Sequence, residues 1–328
     1  MVFHSLTDAP RDFREGIDWL VALKGTDAAS NLKAISDAVY NFLVDKPAGS
    51  SKVPIYNYVT LITKGFLEQE ELKDRRVVGP MLWTFNKPKD PNSDFSKKFV
   101  KTVPENGGSK IDRNGGITGE NITEKLSKSV DGCETFLKSI QVPGQYKSAY
   151  SSKATWEASC SDNPQECAAV FVGIAPMLYA GLTSLWDATD ADAFRLTPDR
   201  AKADLENLLN ALRYVGPECR ASMGPSDVAN ALRGVEYNVL GTLGELSDFW
   251  TFHGLDSAGV SEAEKYYRSK YVSYPITGGD NGVNMGLVNA WNSKLAKKPA
   301  KTDNALGSDN IYYPGMPTVA NLNAASPI

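Results

Sequence analysis

Four cysteines and two histidines carry the strongest intrinsic chemistry in this chain. They are Cys133, Cys160, Cys167 and Cys219, with His4 and His253. A thiol in the first turn of a helix is activated, because the helix dipole favours the thiolate. Cys167 follows Asn163-Pro164 at the predicted start of a helix. One hypothesis is therefore a thiol enzyme in which Cys167, or alternatively Cys219, works with His253 as its base.

The same cysteines are compatible with two disulfides, for which three pairings exist. Cys160 and Cys167 would lie about 10 Å apart in a continuous helix, which is too far to bridge, but Asn163-Pro164 interrupts the segment. We predict a Cys160–Cys167 disulfide where the helix begins, and a Cys133–Cys219 disulfide that ties two distant helices together. Composition alone leaves open the alternative of four reduced thiols in a cytosolic protein.

Metal and nucleotide sites have little support in the sequence. Two histidines are too few for a His-based site unless both converge, and cysteine separations of 27, 7 and 52 residues do not fit zinc motifs. The acidic cluster Asp187, Asp190 and Asp192 lacks the glycine and closing glutamate of an EF-hand. Phosphate-binding glycine loops and hydrolase nucleophile elbows are also absent from the sequence. We expect no cofactor, no metal and no catalysis.

A glycosylation sequon, a lysine run and a tyrosine-rich stretch can each be interpreted in two ways. Asn121-Ile122-Thr123 is a glycosylation sequon, yet it falls inside a predicted helix. The basic run Lys294, Lys297, Lys298 and Lys301 could touch an anionic surface or simply solubilise a linker. The aromatic stretch Tyr266, Tyr267, Tyr271 and Tyr274 could form an adhesive patch or pack the final helix into the core.

The elements that position these residues are predicted to be helices. Apolar residues recur with helical spacing over 13–25, 31–45, 55–74, 120–140 and 226–250, while strand signals are thin. Asn163-Pro164 and Thr197-Pro198 add N-cap and first-turn signals. We predict an all-α fold, a multi-helix bundle with long irregular loops and an extended C-terminal tail. The bundle should span 1–272 with a surface loop at about 86–116, and a short helix with a linker-like tail should occupy 273–328.

One uncharged run, Ala168–Trp186, approaches transmembrane length. It contains Gly173, Pro176 and Gly181 and has no flanking cluster of Lys or Arg, so we predict a central helix wrapped by the others. The chain is 42% hydrophobic and 23% charged, with a formal net charge of −4. These values are ordinary for a globular protein and give no basic face for nucleic acid.

Five strings resemble a known family, the variant erythrocyte surface antigens of Babesia. They are FREGIDWLVALKG (13–25), NLKAISDAVYNFLVDKP (31–47), YSSKATWEASC (150–160), AAVFVGIAPMLYAGLTSLW (168–186) and YVGPECRASM (214–223). The resemblance implies a protein on the extracellular face of the infected erythrocyte or on the parasite surface, acting in adhesion, antigenic variation and immune evasion. A lipid-anchored merozoite surface antigen of the same parasites is a related alternative.

The resemblance also implies partners and a mode of display. The partners would be host-cell or parasite surface proteins, a sister antigen subunit and antibodies. Members of the family carry a C-terminal membrane segment that these 328 residues do not contain, so we expect membrane attachment only through an anchor outside this chain. Two other hypotheses stay open: the thiol enzyme, and an intracellular helical scaffold with four reduced thiols and a groove for a partner helix.

Overall fold

A computed structural model describes residues 2–44, 53–87, 117–190, 197–216, 219–220, 223–255 and 257–271. Within these ranges the secondary structure is helical, apart from one isolated bridge between Phe3 and Tyr150. The helices are α1 (Phe13–Lys24), α2 (Ala28–Val44), α3 (Pro54–Leu67), α4 (Val78–Asn86), α5 (Ile122–Ile140), α6 (Trp156–Ser159), α7 (Pro164–Thr189), α8 (Pro198–Ala211), α9 (Pro225–Leu232), α10 (Tyr237–His253) and α11 (Ser257–Tyr271). The predicted all-α fold is confirmed. Nearly all of the predicted 86–116 loop, the 273–328 tail and its lysine run lie outside the described residues.

Helix α1 begins and ends where local chemistry directs it. The Asp12 carboxylate accepts a hydrogen bond from the Glu15 backbone N–H at 2.9 Å, which satisfies one of the free donors of the first turn. Gly25 ends the helix at φ 54°, a conformation that glycine adopts without strain, and its N–H donates to the Val21 carbonyl. Residues 25–27 then connect α1 to α2.

Helix α7 forms the centre of the bundle. It begins at Pro164 after the N-cap Asn163, as the sequence predicts. By length and composition it could cross a membrane, but 94% of its most apolar 18-residue window is buried inside the bundle. Neighbouring helices approach it closely at glycines. A Cβ placed on Gly181 would lie 2.2 Å from the Phe13 ring, and one on Gly173 would lie 2.6 Å from Val59.

The long helix predicted over 226–250 is wrong, because α9 and α10 are separate. The break coincides with a close approach of α5: a Cβ on Gly234 would lie 2.5 Å from the Thr135 side chain. The Val235 N–H turns back to the Leu232 carbonyl at 2.8 Å, and Glu236 becomes the N-cap of α10. The periodicity persists across this break, and for that reason the sequence pattern suggested one helix.

Helix α3 also ends earlier than predicted, at Leu67 rather than near residue 74. The following residues form turns that bring two arginines onto other helices. Arg75 makes a bidentate pair with Asp204 on α8, with both distances 2.8 Å, and Arg76 pairs with Asp187 on α7 at 3.0 Å. These ion pairs hold the turn against the C-terminal end of α7 and the middle of α8.

Candidate functional site

Cys160 and Cys167 form a disulfide. Their Cα atoms are 5.8 Å apart, well within bridging range. The short helix α6 ends at Ser159, and the chain reverses through 161–163 before α7 begins, so the interruption at Asn163-Pro164 has the predicted consequence. Ser159 also accepts a hydrogen bond from the Leu6 backbone N–H at 3.0 Å. The disulfide is therefore next to the point where the segment before α1 is hydrogen-bonded to α6.

The predicted Cys133–Cys219 disulfide is absent, and both residues are buried thiols. Cys133 lies on the inner face of α5, where burial raises the pKa of its thiol to about 12. Cys219 lies in the turn after α8, and the Arg14 guanidinium donates to its sulfur at 3.5 Å. Cys219 and Cys133 are not joined, and the Cys219 sulfur instead lies beside Arg14 of α1, 205 residues away in sequence, so this prediction is wrong.

The thiol-enzyme hypothesis loses its first nucleophile, since Cys167 is oxidised. Cys219 and His253 contact different parts of the bundle. The His253 ring lies 4.0 Å from the Phe249 ring, at the C-terminal end of α10, whereas Cys219 is beside Arg14 on α1. The other histidine, His4, hydrogen-bonds through its Nδ1 to the Ser151 hydroxyl at 2.9 Å.

The remaining sequence candidates have structural roles in the described residues. Asn121 is the N-cap of α5 rather than a residue within it, and its side-chain oxygen accepts from the Thr118 N–H at 2.8 Å. Asp187 pairs with Arg76, and no group of three or more potential metal ligands occurs in the described parts of the chain. Asp192 lies outside them.

Two of the four tyrosines in the aromatic stretch pack against the bundle. Tyr266 and Tyr267 pack against Tyr58 of α3, with ring centroids 5.7 and 5.8 Å apart. This arrangement supports the core-packing alternative for these two residues. The side chain of Tyr271 and all of Tyr274 lie outside the described residues.

A buried polar cluster joins α1 to the segment that follows α5. Asp18 is 1% exposed, and its carboxylate accepts from the Tyr146 hydroxyl at 2.6 Å and the Ala149 N–H at 2.8 Å. Arg14 donates to the same tyrosine hydroxyl and to the Lys147 carbonyl. Burial nevertheless raises the pKa of Asp18 to about 6, against the opposing effect of these hydrogen bonds and of Arg14. Asp18 thus joins α1 to this segment from a buried position, while Arg14 and Tyr146 are half-buried.

The residues best placed to meet another molecule lie on α7 and α10. Tyr237, Gly241, Gly244 and Asp248 follow one another at helical spacing on α10 and reach solvent, and Tyr237 is 79% exposed. On α7, Tyr179 lies against Gly244 and is half-buried, and Trp186, seven residues later on the same side of the helix, is 46% exposed. We call these six residues the α7–α10 face. Tyr179 also packs against the core, whereas Tyr237 and Trp186 are among the exposed large hydrophobic residues.

The floor of this face is formed by glycine. A Cβ on Gly244 would lie 3.5 Å from the Tyr179 ring, so the ring covers the helix backbone at that point. A Cβ on Gly241 would meet nothing within 4 Å. Burial raises the pKa of the Tyr179 hydroxyl. The charges of Asp248 and Asp187 also raise it, and the charge of Arg76 lowers it. The open position at Gly241, near aromatic and acidic side chains, can accept a protruding side chain.

Comparisons of the chain with protein-family models, with curated proteins and with solved structures gave no match.

Proposed function

We propose that this chain is a non-catalytic surface antigen. In this proposal it is displayed on the extracellular face of a Babesia-infected erythrocyte or on the parasite, and acts in adhesion to host cells and antigenic variation. Its partners would be host-cell or parasite surface proteins, a sister antigen subunit and antibodies. The likeness of five sequence strings to the variant erythrocyte surface antigens supports the parasite assignment.

The observation that carries the binding part of the proposal is the α7–α10 face. Tyr237 and Trp186 expose large aromatic surfaces that the bundle leaves uncovered. Aromatic residues are enriched at protein interfaces, because they combine a large apolar area with few rotatable bonds. A helical scaffold with a central buried helix supplies the rigidity on which such a face depends.

Surface display is tested with antibodies raised against the purified chain. We expect them to label intact, unpermeabilised infected erythrocytes or free parasites, in flow cytometry and microscopy. Permeabilised cells serve as the positive control for antibody quality. Labelling that appears only after permeabilisation would overturn the proposed location.

Adhesion is tested by binding of the fluorescent chain to host erythrocytes. The variants Tyr237→Ser and Trp186→Ser should each reduce bound fluorescence, because they remove exposed aromatic area from the face. Trp83→Ser is the matched control: Trp83 is 64% exposed on α4, and the Lys87 ammonium already lies 3.0 Å from its ring centroid. Equal loss in all three variants would indicate nonspecific stickiness and contradict the assignment of the face.

A further inference from the structure

The two helices of the α7–α10 face have an unusual charge balance. Together α7 and α10 contain four acidic residues and neither lysine nor arginine: the acids are Glu166, Asp187, Glu245 and Asp248. Cations from other elements neutralise two of them. Arg76 pairs with Asp187 at 3.0 Å, and Lys125 pairs with Glu245 at 2.9 Å. Glu166 is in the first turn of α7, remote in sequence from the aromatic part of the face.

Asp248 is the acid that remains on the face. In the described part of the chain its carboxylate has no ion-pair partner, although its side chain reaches solvent. Surrounding protein and the nearby Glu245 raise its pKa to about 6. Both effects disfavour the ionised carboxylate, and a cation bound beside it would favour that form.

One aromatic ring lies within a helical turn of this carboxylate. The Tyr179 ring lies against Gly244, where a Cβ would be 3.5 Å from it, and Asp248 follows Gly244 by four residues on the same side of α10. Gly241, one turn before Gly244, has nothing within 4 Å of its Cβ position. Thr183 lies one turn along α7 between Tyr179 and Trp186, and its buried hydroxyl oxygen has no hydrogen-bond partner in the described residues. Carboxylate and aromatic groups together are the usual recognition elements for a cationic side chain.

We propose that the α7–α10 face binds a segment of a partner protein through an arginine or lysine side chain, held against Asp248 and over the neighbouring Tyr179 ring. Charge complementarity selects this occupant, because the face offers an acid that the described bundle leaves without a cation. Arginine fits better than lysine, since a planar guanidinium stacks on an aromatic ring while it bonds a carboxylate. This inference rests on one part of the proposed function, namely that the α7–α10 face is a binding surface.

The test uses the full chain and a fluorescein-labelled peptide of glycine and serine that carries two arginines. Its twin carries citrulline, which has nearly the same shape but no charge. Fluorescence polarisation at pH 7.5 and constant salt should show about three- to thirtyfold tighter binding of the arginine peptide. Asp248→Asn should remove most of that preference.

Asp37→Asn is the charge-matched control, because Asp37 is an exposed aspartate on α2 that pairs with Lys33. It should change binding less than twofold. Equal binding of both peptides, or equal loss in Asp37→Asn and Asp248→Asn, would overturn the proposal, since either result means nonspecific attraction to net charge. Concentration-dependent dimerisation that Asp248→Asn abolishes would also overturn it, by making a second copy the occupant. Failure of peptide binding with intact cell-surface labelling would refute this inference alone.

Discussion

Replacing Gly181 with alanine should destabilise the bundle, although alanine is the better helix former. The new Cβ would lie 2.2 Å from Cδ2, 2.5 Å from Cε2 and 2.8 Å from Cγ of Phe13. Carbon atoms prefer about 3.5–4.0 Å, so the ring would have to move by more than an ångström. Phe13 is completely buried and packs edge-on against Phe136 and Tyr214, at centroid distances of 6.0 and 6.2 Å. The ring has little room to retreat.

The magnitude follows from two opposing effects. Alanine for glycine within a helix contributes about 1 kcal/mol of stability. Overpacking a close-packed core costs about 1–3 kcal/mol, and a ring confined on several sides belongs at the upper end. We therefore expect Gly181→Ala to lower the free energy of unfolding by about 2 kcal/mol. Gly241→Ala on α10 is the matched control, because nothing lies within 4 Å of its Cβ, and it should raise stability by about 0.5–1 kcal/mol.

Urea unfolding followed by far-UV circular dichroism measures both changes as shifts in midpoint. A double-mutant cycle with Phe13→Leu then tests the cause. The smaller leucine should accept the new methyl group, so the double variant should be more stable than the sum of the single effects by about 1–3 kcal/mol. Equal stability of Gly181→Ala and Gly241→Ala would refute the close approach of α1 to α7. Strict additivity in the cycle would refute Phe13 as the obstacle.

Two other outcomes follow from buried titratable groups. Burial raises the pKa of Asp18 to about 6, so between about pH 4 and 6 the folded protein holds a proton that the unfolded chain has lost. The free energy of unfolding should fall as pH rises through that window, with up to about 3 kcal/mol of the fall due to Asp18. Asp18→Asn should make the slope in thermal melts shallower, while Asp12 and Asp248, whose pKa values are also raised, keep their shares; an unchanged slope would contradict the burial argument. Alkylation of the denatured, unreduced protein should label Cys133 and Cys219 alone, and mass spectrometry that finds four labelled cysteines would remove the disulfide. In the native protein at pH 8, Cys133 should stay unlabelled, because burial raises its pKa to about 12.

Local signals in the sequence were sufficient for much of the fold. Gly25 and the Asn163-Pro164 pair mark helix boundaries through backbone rules that operate within a few residues, and the structure places boundaries at both. The break before α10 depends instead on Thr135, about 100 residues earlier, which packs against Gly234. The contact of Arg14 with Cys219 is equally remote in sequence. Periodicity carries no information about such pairs.

The candidate face was missed for a related reason. Tyr179 and Trp186 lie in an uncharged run that reads as buried throughout, and most of that run is buried. Their exposure depends on which helix covers that side of α7. The neighbour is α10, and it presents Gly241 and Gly244 there instead of large side chains. The i, i+4, i+7, i+11 spacing of Tyr237, Gly241, Gly244 and Asp248 was the available signal, and it could be recognised only after α10 was separated from α9.

The burial pattern bears on what the family resemblance can mean. The strings at 13–25 and 168–186 lie on α1 and α7, and most of their residues are in the core. The similarity of these two strings to the family therefore indicates shared core packing. It does not indicate a shared binding partner. The α10 half of the face, from Tyr237 to Asp248, belongs to none of the five strings.

If the face binds, its two halves should behave differently on substitution. The α7 half is attached to the central helix, where glycine contacts with α1 and α3 restrict change, whereas Tyr237 and Asp248 project from a helix surface with open space around Gly241. Partner preference should therefore be altered through α10. The double variant Tyr237→Ser/Asp248→Asn should keep the thermal midpoint within a few degrees while it loses cell and peptide binding. Loss of binding that always accompanies unfolding would mean that this surface supports the bundle and recognises nothing.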